Sequence, residues 1–277
     1  MKLRKLGKLF TAATLTVGLA AGSSAFTEKA QAATEEPTHA FYIVPHPDDE
    51  LLSMGTSIIN HNFNGNHIVH MVLLTGGEKS SVYNIASGQV NCWMHGHKHD
   101  PEAEGYAPFD REVFKKGKIE NFKHSAYILG VKPENIHIYD LGNEEVTVEE
   151  VEKIIRDLKA KYPKSKYKSI SYHDDHPDHV ASGQALLNLY NEGVIDDARF
   201  YAKNSLVLSG EWKKMTDAPA RPEKYDEAWY PYIKASAQTY TDWNPKKGYY
   251  HSGYMSVRQS FDWLLEDPTV YYHKPNE

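Results

Sequence analysis

The chain alternates two kinds of apolar pattern. HAFYIVPH at 39–46 is apolar almost throughout, as a strand buried on both faces requires, while LLSMGTSIINHNF at 51–63 spaces its apolar residues three and four apart, as one face of a helix does. NGNHIVHMVLLTGG at 64–77 then reads as a turn and a second buried strand, so the first segment is a βαβ unit. The alternation resumes with a helix over 112–129 ending at Gly130 and a strand over 135–142. A helix over 147–161 follows, capped by Thr147 with Glu150 three residues on, then a strand over 167–172 and a helix over 179–193. This order predicts an α/β fold, a mostly parallel sheet with helices on both faces.

Two regions break the rhythm. Residues 76–110 lack periodicity and are rich in Gly, His, Asn and Pro, and a loop that long in a compact domain is either functional or disordered. After Gly193 the pattern weakens to a strand over 199–209, a Pro- and aromatic-rich loop over 218–232, helices over 233–243 and 255–266, and a Tyr-rich tail from Pro268 that packs or interacts through its rings.

The first 32 residues have a different character. Lys2, Arg4, Lys5 and Lys8 precede an apolar and small-residue run that ends in AQA at 30–32, the form of a secretory signal peptide with its cleavage site. We expect residues 1–32 to be removed, 33–38 to be a loose leader and 39–277 to form one domain, without stable membrane insertion after cleavage, secreted or associated with the cell wall. Removing residues 1–32 takes away five basic residues and one acidic one, which leaves 26 basic against 36 acidic and a net charge of −10. Nucleic acid is therefore an unsuitable partner. Cys92 is the only cysteine, so the domain relies on its core rather than on an internal disulfide, and Cys92 is expected to be a half-buried bystander.

The chemistry-bearing residues fall into two clusters. His46, Asp48, Asp49 and Glu50 follow the first strand; His173, Asp174, Asp175, His176, Asp178 and His179 follow the strand at 167–172. In open α/β sheets the working groups sit beyond the carboxyl ends of the strands, which brings the two clusters together. Two histidines and a carboxylate with an open position form a catalytic zinc ligand set, which His46, Asp49 and His179 can supply, leaving an aspartate and a histidine for proton transfer. Taken alone, HPDD also suits a helix N-terminus, where aspartates accept free backbone N–H groups. HDDHPDH has no such simple reading, because charge pairing would call for lysine or arginine partners that are absent from it. His95, His97 and His99 in the long loop alternate as in an extended segment, either exposed on a lid or part of a second metal site.

VPHPDDE at 44–50 and HPDH at 176–179 resemble the paired signature of the PIG-L/LmbE-like family of zinc-dependent N-deacetylases, and the resemblance covers roughly 39–195. It implies a Rossmann-like three-layer α/β sandwich, here with a Tyr/Trp-rich C-terminal extension, and removal of an acetyl group from an N-acetylglucosamine unit. Carried onto this chain, it makes His46, Asp49 and His179 metal ligands and Asp48 the general base. His176, as imidazolium, becomes the stabiliser of the oxyanion, and Asp178 a group that orients a histidine. Glu78 in TGGE at 75–78 and Glu120 fall where the family places site residues. Lys118 stands where an arginine is common, and a lysine lacks the planar fork of arginine for binding sugar hydroxyls or phosphate. Asp174 or Asp175 is expected to orient His176 or His179, and His173 to be structural.

Export points to an extracellular amino-sugar or glycan substrate. Trp93, Trp212, Trp229 and Trp243, with Tyr225, Tyr230, Tyr232, Tyr240, Tyr249 and Tyr250, either line a sugar-stacking groove or fill the C-terminal core. Two alternatives stay open, a metal-dependent carbohydrate-binding protein without turnover and a metal hydrolase acting on another bond. The absence of a basic cluster beside the motifs argues against a heavily phosphorylated substrate. Zinc is the first choice of metal, with iron, cobalt and manganese also suited to these donors; oligomerisation is left open.

Overall fold

The computed structural model describes residues 37–277 except residue 66, so residues 1–32, expected to be a signal peptide, and most of the expected leader lie outside the described residues. Nine strands are present among them, β1 (Thr38–Val44), β2 (His67–Leu73), β3 (Ile136–Ile138), β4 (Ser165–Ile170), β5 (Ala198–Ala202), β6 (Arg221–Glu223), β7 (Trp243–Asn244), β8 (Tyr249–Tyr250) and β9 (Val270–His273). Seven of these form one sheet in the order β3-β2-β1-β4-β5-β9-β6, and β7 and β8 make a separate small hairpin. The strands β1 to β5 run parallel, whereas β9 is antiparallel to both its neighbours. The chain reverses its direction of growth across the sheet between β1 and β4, and the loops leaving those two strands therefore open a crevice.

The ten α-helices among the described residues are α1 (Asp49–Leu52), α2 (Gly55–Ile59), α3 (Val82–Ala86), α4 (Arg111–Ile128), α5 (Val148–Lys161), α6 (Pro177–Asn191), α7 (Asn204–Leu208), α8 (Trp212–Met215), α9 (Tyr230–Thr241) and α10 (Tyr254–Glu266). Alternate residues of β1 feed the two faces. Ala40, Tyr42 and Val44 pack with residues of α4, α9 and α10, while Phe41 and Ile43 pack with residues of α5 and α6. Burial on both sides explains the unbroken apolar run, and the result is the expected three-layer α/β sandwich. The capping box at Thr147 forms as expected, with Thr147 Oγ1 accepting from Glu150 N–H and Glu150 Oε2 from Thr147 N–H. Among the described residues no helix is long and apolar enough to cross a membrane.

Several expected boundaries change. The helix over 51–63 is two short α-helices followed by a π-turn at Asn60–Asn64, with the break at Met54, whose φ of −130° is not helical. The strand over 199–209 stops at Ala202 and becomes α7. The 218–232 loop contributes edge strand β6, and the Tyr-rich tail enters the sheet as β9, between β5 and β6. Cys92 is fully buried rather than half-buried, packed with Val82, Phe114 and Tyr250.

Candidate metal and catalytic site

The loop after β1 is pinned before it turns. Pro45 carbonyl accepts both the N–H and the hydroxyl of Thr75, at 3.1 and 2.9 Å, which fixes where His46 begins. Asp48 then takes φ 115°, a left-handed conformation uncommon for a residue with a side chain, and caps α1. Such strain persists where the surroundings enforce it. Here Glu50 does so from below: its Oε2 accepts Asp48 N–H at 3.0 Å, and its Oε1 accepts the hydroxyls of Ser125 and Tyr240, both at 2.6 Å. Burial nevertheless lifts the Glu50 carboxyl to about 8.

Across the crevice, α6 starts at Pro177, whose ring suits the first turn of a helix. His176 caps it, Nδ1 accepting Asp178 N–H at 3.2 Å. His179 sits one turn in and faces His46. Three donor atoms then meet in a triangle: His46 Nδ1 to Asp49 Oδ2 3.2 Å, His46 Nδ1 to His179 Nε2 3.1 Å, and His179 Nε2 to Asp49 Oδ2 3.0 Å.

The remaining ring nitrogens are committed elsewhere. His46 Nε2 lies 2.9 Å from Asp178 Oδ2, and His179 Nδ1 lies 2.9 Å from Asp174 Oδ1. A carboxylate can only accept when ionised, so each ring places its proton on the outer nitrogen and turns a lone pair inward. Two inward lone pairs and a carboxylate oxygen within about 3 Å repel one another unless a positive charge, a metal ion or a proton on His179, lies between them. The donor set therefore fits a divalent metal ion. A looser trio, with His176 in place of Asp49, brings its donor atoms within 4.8 Å of one another; the triangle containing Asp49 is tighter and is the set we favour.

Where no metal ion is held, a proton on His179 takes its place between the donors. Burial opposes the charge on both groups, yet the facing His179 holds Asp49 well below the carboxylate range, and Asp49 and Asp174 lift His179 to about 10. Asp48 behaves oppositely: burial and the adjacent Asp49 raise it to about 7, partly offset by Lys118. Burial, with His46 and His179 beside it, lowers His176.

These residues open onto a cleft of roughly 320 Å³, also lined by Lys79, Lys118, Asn143, Lys203 and Ser260. Lys118, from α4, is buried and reaches Gly77 carbonyl at 3.4 Å. Gly77 has φ +65°, and a Cβ there would lie 2.4 Å from Lys118 Nζ. Three lysines thus reach the cleft from outside the two motifs, which removes the sequence-based argument that basic groups are absent. Lys79 is paired with Glu145, and Lys203 with Asp174 and Asp175.

Other expected residues stand elsewhere. Glu78 lies behind the cleft, Oε1 accepting Asn143 N–H at 2.8 Å. Glu120 is exposed and paired with Lys123, because two residues along a helix from Lys118 is about 200° around its axis. Trp93 is half-exposed, 5.6 Å from the Arg258 guanidinium, and does not line the cleft. Trp212, Tyr240 and Tyr250 are buried core residues and Trp229 stacks on Phe63; no Trp or Tyr lines the cleft, so the aromatic groove is absent from it. His173 Nε2 donates to Glu277 carbonyl and takes no part in the cleft. Lys203, Asn143 and the supporting role of Glu50 were not anticipated; only the charge of Glu50 was visible in the sequence.

Residues 41–190 match the PIG-L family, described as GlcNAc-PI de-N-acetylase. No curated protein is significantly similar in sequence. Among solved structures, a triple mutant of a deacetylase of the teicoplanin biosynthetic pathway is 17% identical with a TM-score of 0.60, over 87% of this chain and 100% of that one. N,N'-diacetylchitobiose deacetylase from Pyrococcus horikoshii is 14% identical with a TM-score of 0.53, over 86% and 84%. GalB, a 4-carboxy-2-hydroxymuconate hydratase from Pseudomonas putida, is 14% identical with a TM-score of 0.52, over 85% and 95%. At these identities the likeness concerns the fold alone, and the fold carries more than one reaction.

Proposed function

Because this chain belongs to the PIG-L family of GlcNAc-PI de-N-acetylases, we propose that it is a metal-dependent amide hydrolase that removes the N-acetyl group from an N-acetylglucosamine-containing saccharide or glycan outside the cell. The observation that carries the reading is the triangle of His46, Asp49 and His179, with each histidine backed by its own carboxylate.

His46, Asp49 and His179 would hold the ion, zinc in the first instance, and a zinc ion supplies an acidified water and a polarised carbonyl. Asp48, at the cleft beside Asp49, takes the proton of the attacking water as its oxygen bonds to the amide carbon. His176 already accepts a backbone N–H at Nδ1, so its Nε2–H is free to donate to the carbonyl oxygen as that oxygen gains charge. Burial favours the neutral ring, which can donate in this way, whereas the family resemblance implies an imidazolium. As the carbon–nitrogen bond breaks, Asp48 passes its proton to the amine, giving acetate and a free amino sugar. Lys118 and Asn143 present donors to the hydroxyl or anionic groups of the substrate.

The extracellular setting rests on the basic, apolar and AQA pattern of residues 1–32. The choice of an amino sugar is supported by the family and by the diacetylchitobiose deacetylase among the structural neighbours. The test is acetate release by the zinc-loaded protein from N-acetylglucosamine, its β-linked oligomers and a wall-derived glycan. Release from any of them supports the reading. No release from all three, with metal bound, moves the protein to the binding-protein class or to another scissile bond.

A further inference from the structure

The stretch NCWMHGHKH at 91–99 closes into a tight turn away from the catalytic cleft. Cys92 N–H donates to His97 carbonyl and Gly96 N–H to Cys92 carbonyl, both at 2.8 Å, and a bridge joins Asn91 to Lys98. Gly88, at φ +75°, lets the chain close, since a Cβ there would lie 2.0 Å from His99 carbonyl oxygen. The turn sets three side chains together. Cys92 Sγ is 3.3 Å from His95 Nδ1, and His95 Nδ1 is 3.2 Å from His99 Nε2. Cys92 and His99 are buried, and the His99 ring stacks on Trp243 at 4.2 Å.

His99 repeats the arrangement of the catalytic histidines. Its Nδ1 lies 2.9 and 3.0 Å from the two oxygens of Glu104, so the proton sits there and Nε2 turns its lone pair towards His95. Glu104 is itself fixed by Asp100 N–H at 3.0 Å. A fourth imidazole stands beside the group: His251, held at φ +50°, has a buried Nδ1 without a hydrogen-bond partner, and its ring centroid is 5.6 Å from that of His95.

We propose that Cys92, His95 and His99 form a second, structural metal site for a zinc-like divalent ion, with Glu104 orienting His99 and His251 available as the fourth donor. The three donors lie within 4.8 Å of one another. Bond lengths of about 2.3 Å to sulfur and 2.0–2.1 Å to nitrogen in a tetrahedron put donor atoms roughly 3.3–3.6 Å apart, close to the separations found. The alternative trio of His97, His99 and Glu104 is less suited, because His97 is exposed and contributes no sulfur. On binding, the Cys92 thiol releases its proton to solvent and coordinates as thiolate. The ion ties the 76–110 segment, whose Lys79, Ser80 and Ser81 line the cleft, to the region of the β7–β8 hairpin through Trp243 and His251.

Cobalt(II) distinguishes this site from the catalytic one, which contains no sulfur. Metal-stripped protein is titrated with Co²⁺ while metal per chain and near-ultraviolet absorption are recorded. The expected result is two cobalt ions per chain with a thiolate-to-cobalt charge-transfer band. Asp49→Asn should weaken the first ion and keep the band; Cys92→Ser should lose the band and one ion. Should Cys92→Ser fail to fold, His95→Ala, at an exposed position, is the second variant and should also lose the second ion. A single cobalt per chain without the band overturns the proposal, as does a second ion that persists in both Cys92→Ser and His95→Ala.

Discussion

Asp178 Oδ2 lies 2.9 Å from His46 Nε2 although 132 residues separate the two, and the same oxygen accepts Glu144 N–H at 2.7 Å. One carboxylate thus fixes a ring from the β1 loop and the backbone before α5. Asp178→Asn presents an amide that can no longer accept on every side, and metal affinity should fall by about 10- to 100-fold, as when other such partners are lost. A chelator competition measures it. Asp175→Asn, at a half-exposed side chain paired only with Lys203, should leave affinity unchanged; equal losses in the two variants would refute the assignment.

Asp48→Asn should leave metal content near that of the parent protein and reduce kcat by about 10²- to 10⁴-fold, the usual contribution of a positioned proton acceptor. His46→Ala should lose both metal and activity. Turnover of Asp48→Asn within a factor of a few of the parent would exclude Asp48 as the base.

Gly77→Ala combines a positive φ with a Cβ placed 2.4 Å from Lys118 Nζ. The lysine head must move out of its place beside Asp48. KM should rise more than kcat falls, and Lys118→Met should show the same split, whereas Glu120→Ala and Trp93→Ala should keep kcat/KM within about two-fold, since surface substitutions usually have small effects. Steady-state kinetics on the best substrate decide this.

Two buried histidines away from the cleft make the fold sensitive to acid. Burial, reinforced by His137 and His39, lowers His70 to about 3, and burial lowers His273 to about 4. In the unfolded chain both take a proton near pH 6.5. Between that value and their depressed values the unfolded state binds more protons than the folded one. Stability is therefore full above pH 6.5 and falls as the pH drops towards 4, by at most about 1.4 kcal/mol per pH unit for each ring. Urea midpoints at pH 7.5 and 5 should show the loss, and His70→Phe should flatten it; a midpoint independent of pH would remove the claim.

In the parallel half of the sheet β1 and β2 were legible because they read as nearly unbroken apolar runs, whereas β4, SKYKSI, was legible by its place between two helical segments. The two histidine-aspartate clusters were legible because they sit where β1 and β4 end. Lys118 and Glu120 show where reading stops. Both were expected at the site, but a straight helix can present only one of two residues so spaced, and which one depends on how α4 packs. Lys203 and Asn143 come from segments without motif character, and only the packed sheet brings them to the cleft. The C-terminal third was read poorly because β6 and β9 are short and paired with partners distant in sequence. The same distance hid the fate of the tyrosines, which the sequence could assign equally to a groove or to a core.

The position of β9 sets an order on synthesis. The strand formed by residues 270–273 lies between β5 and β6, so β6 has no neighbour in the sheet until those residues, about fifty further along the chain, have been made. Arg221 of β6 pairs with Glu277, and His173, in the loop that carries the second cluster, donates to the carbonyl of that same residue. Folding of this face accordingly waits on residues 270–277, and a nascent chain would leave it open until that segment had emerged.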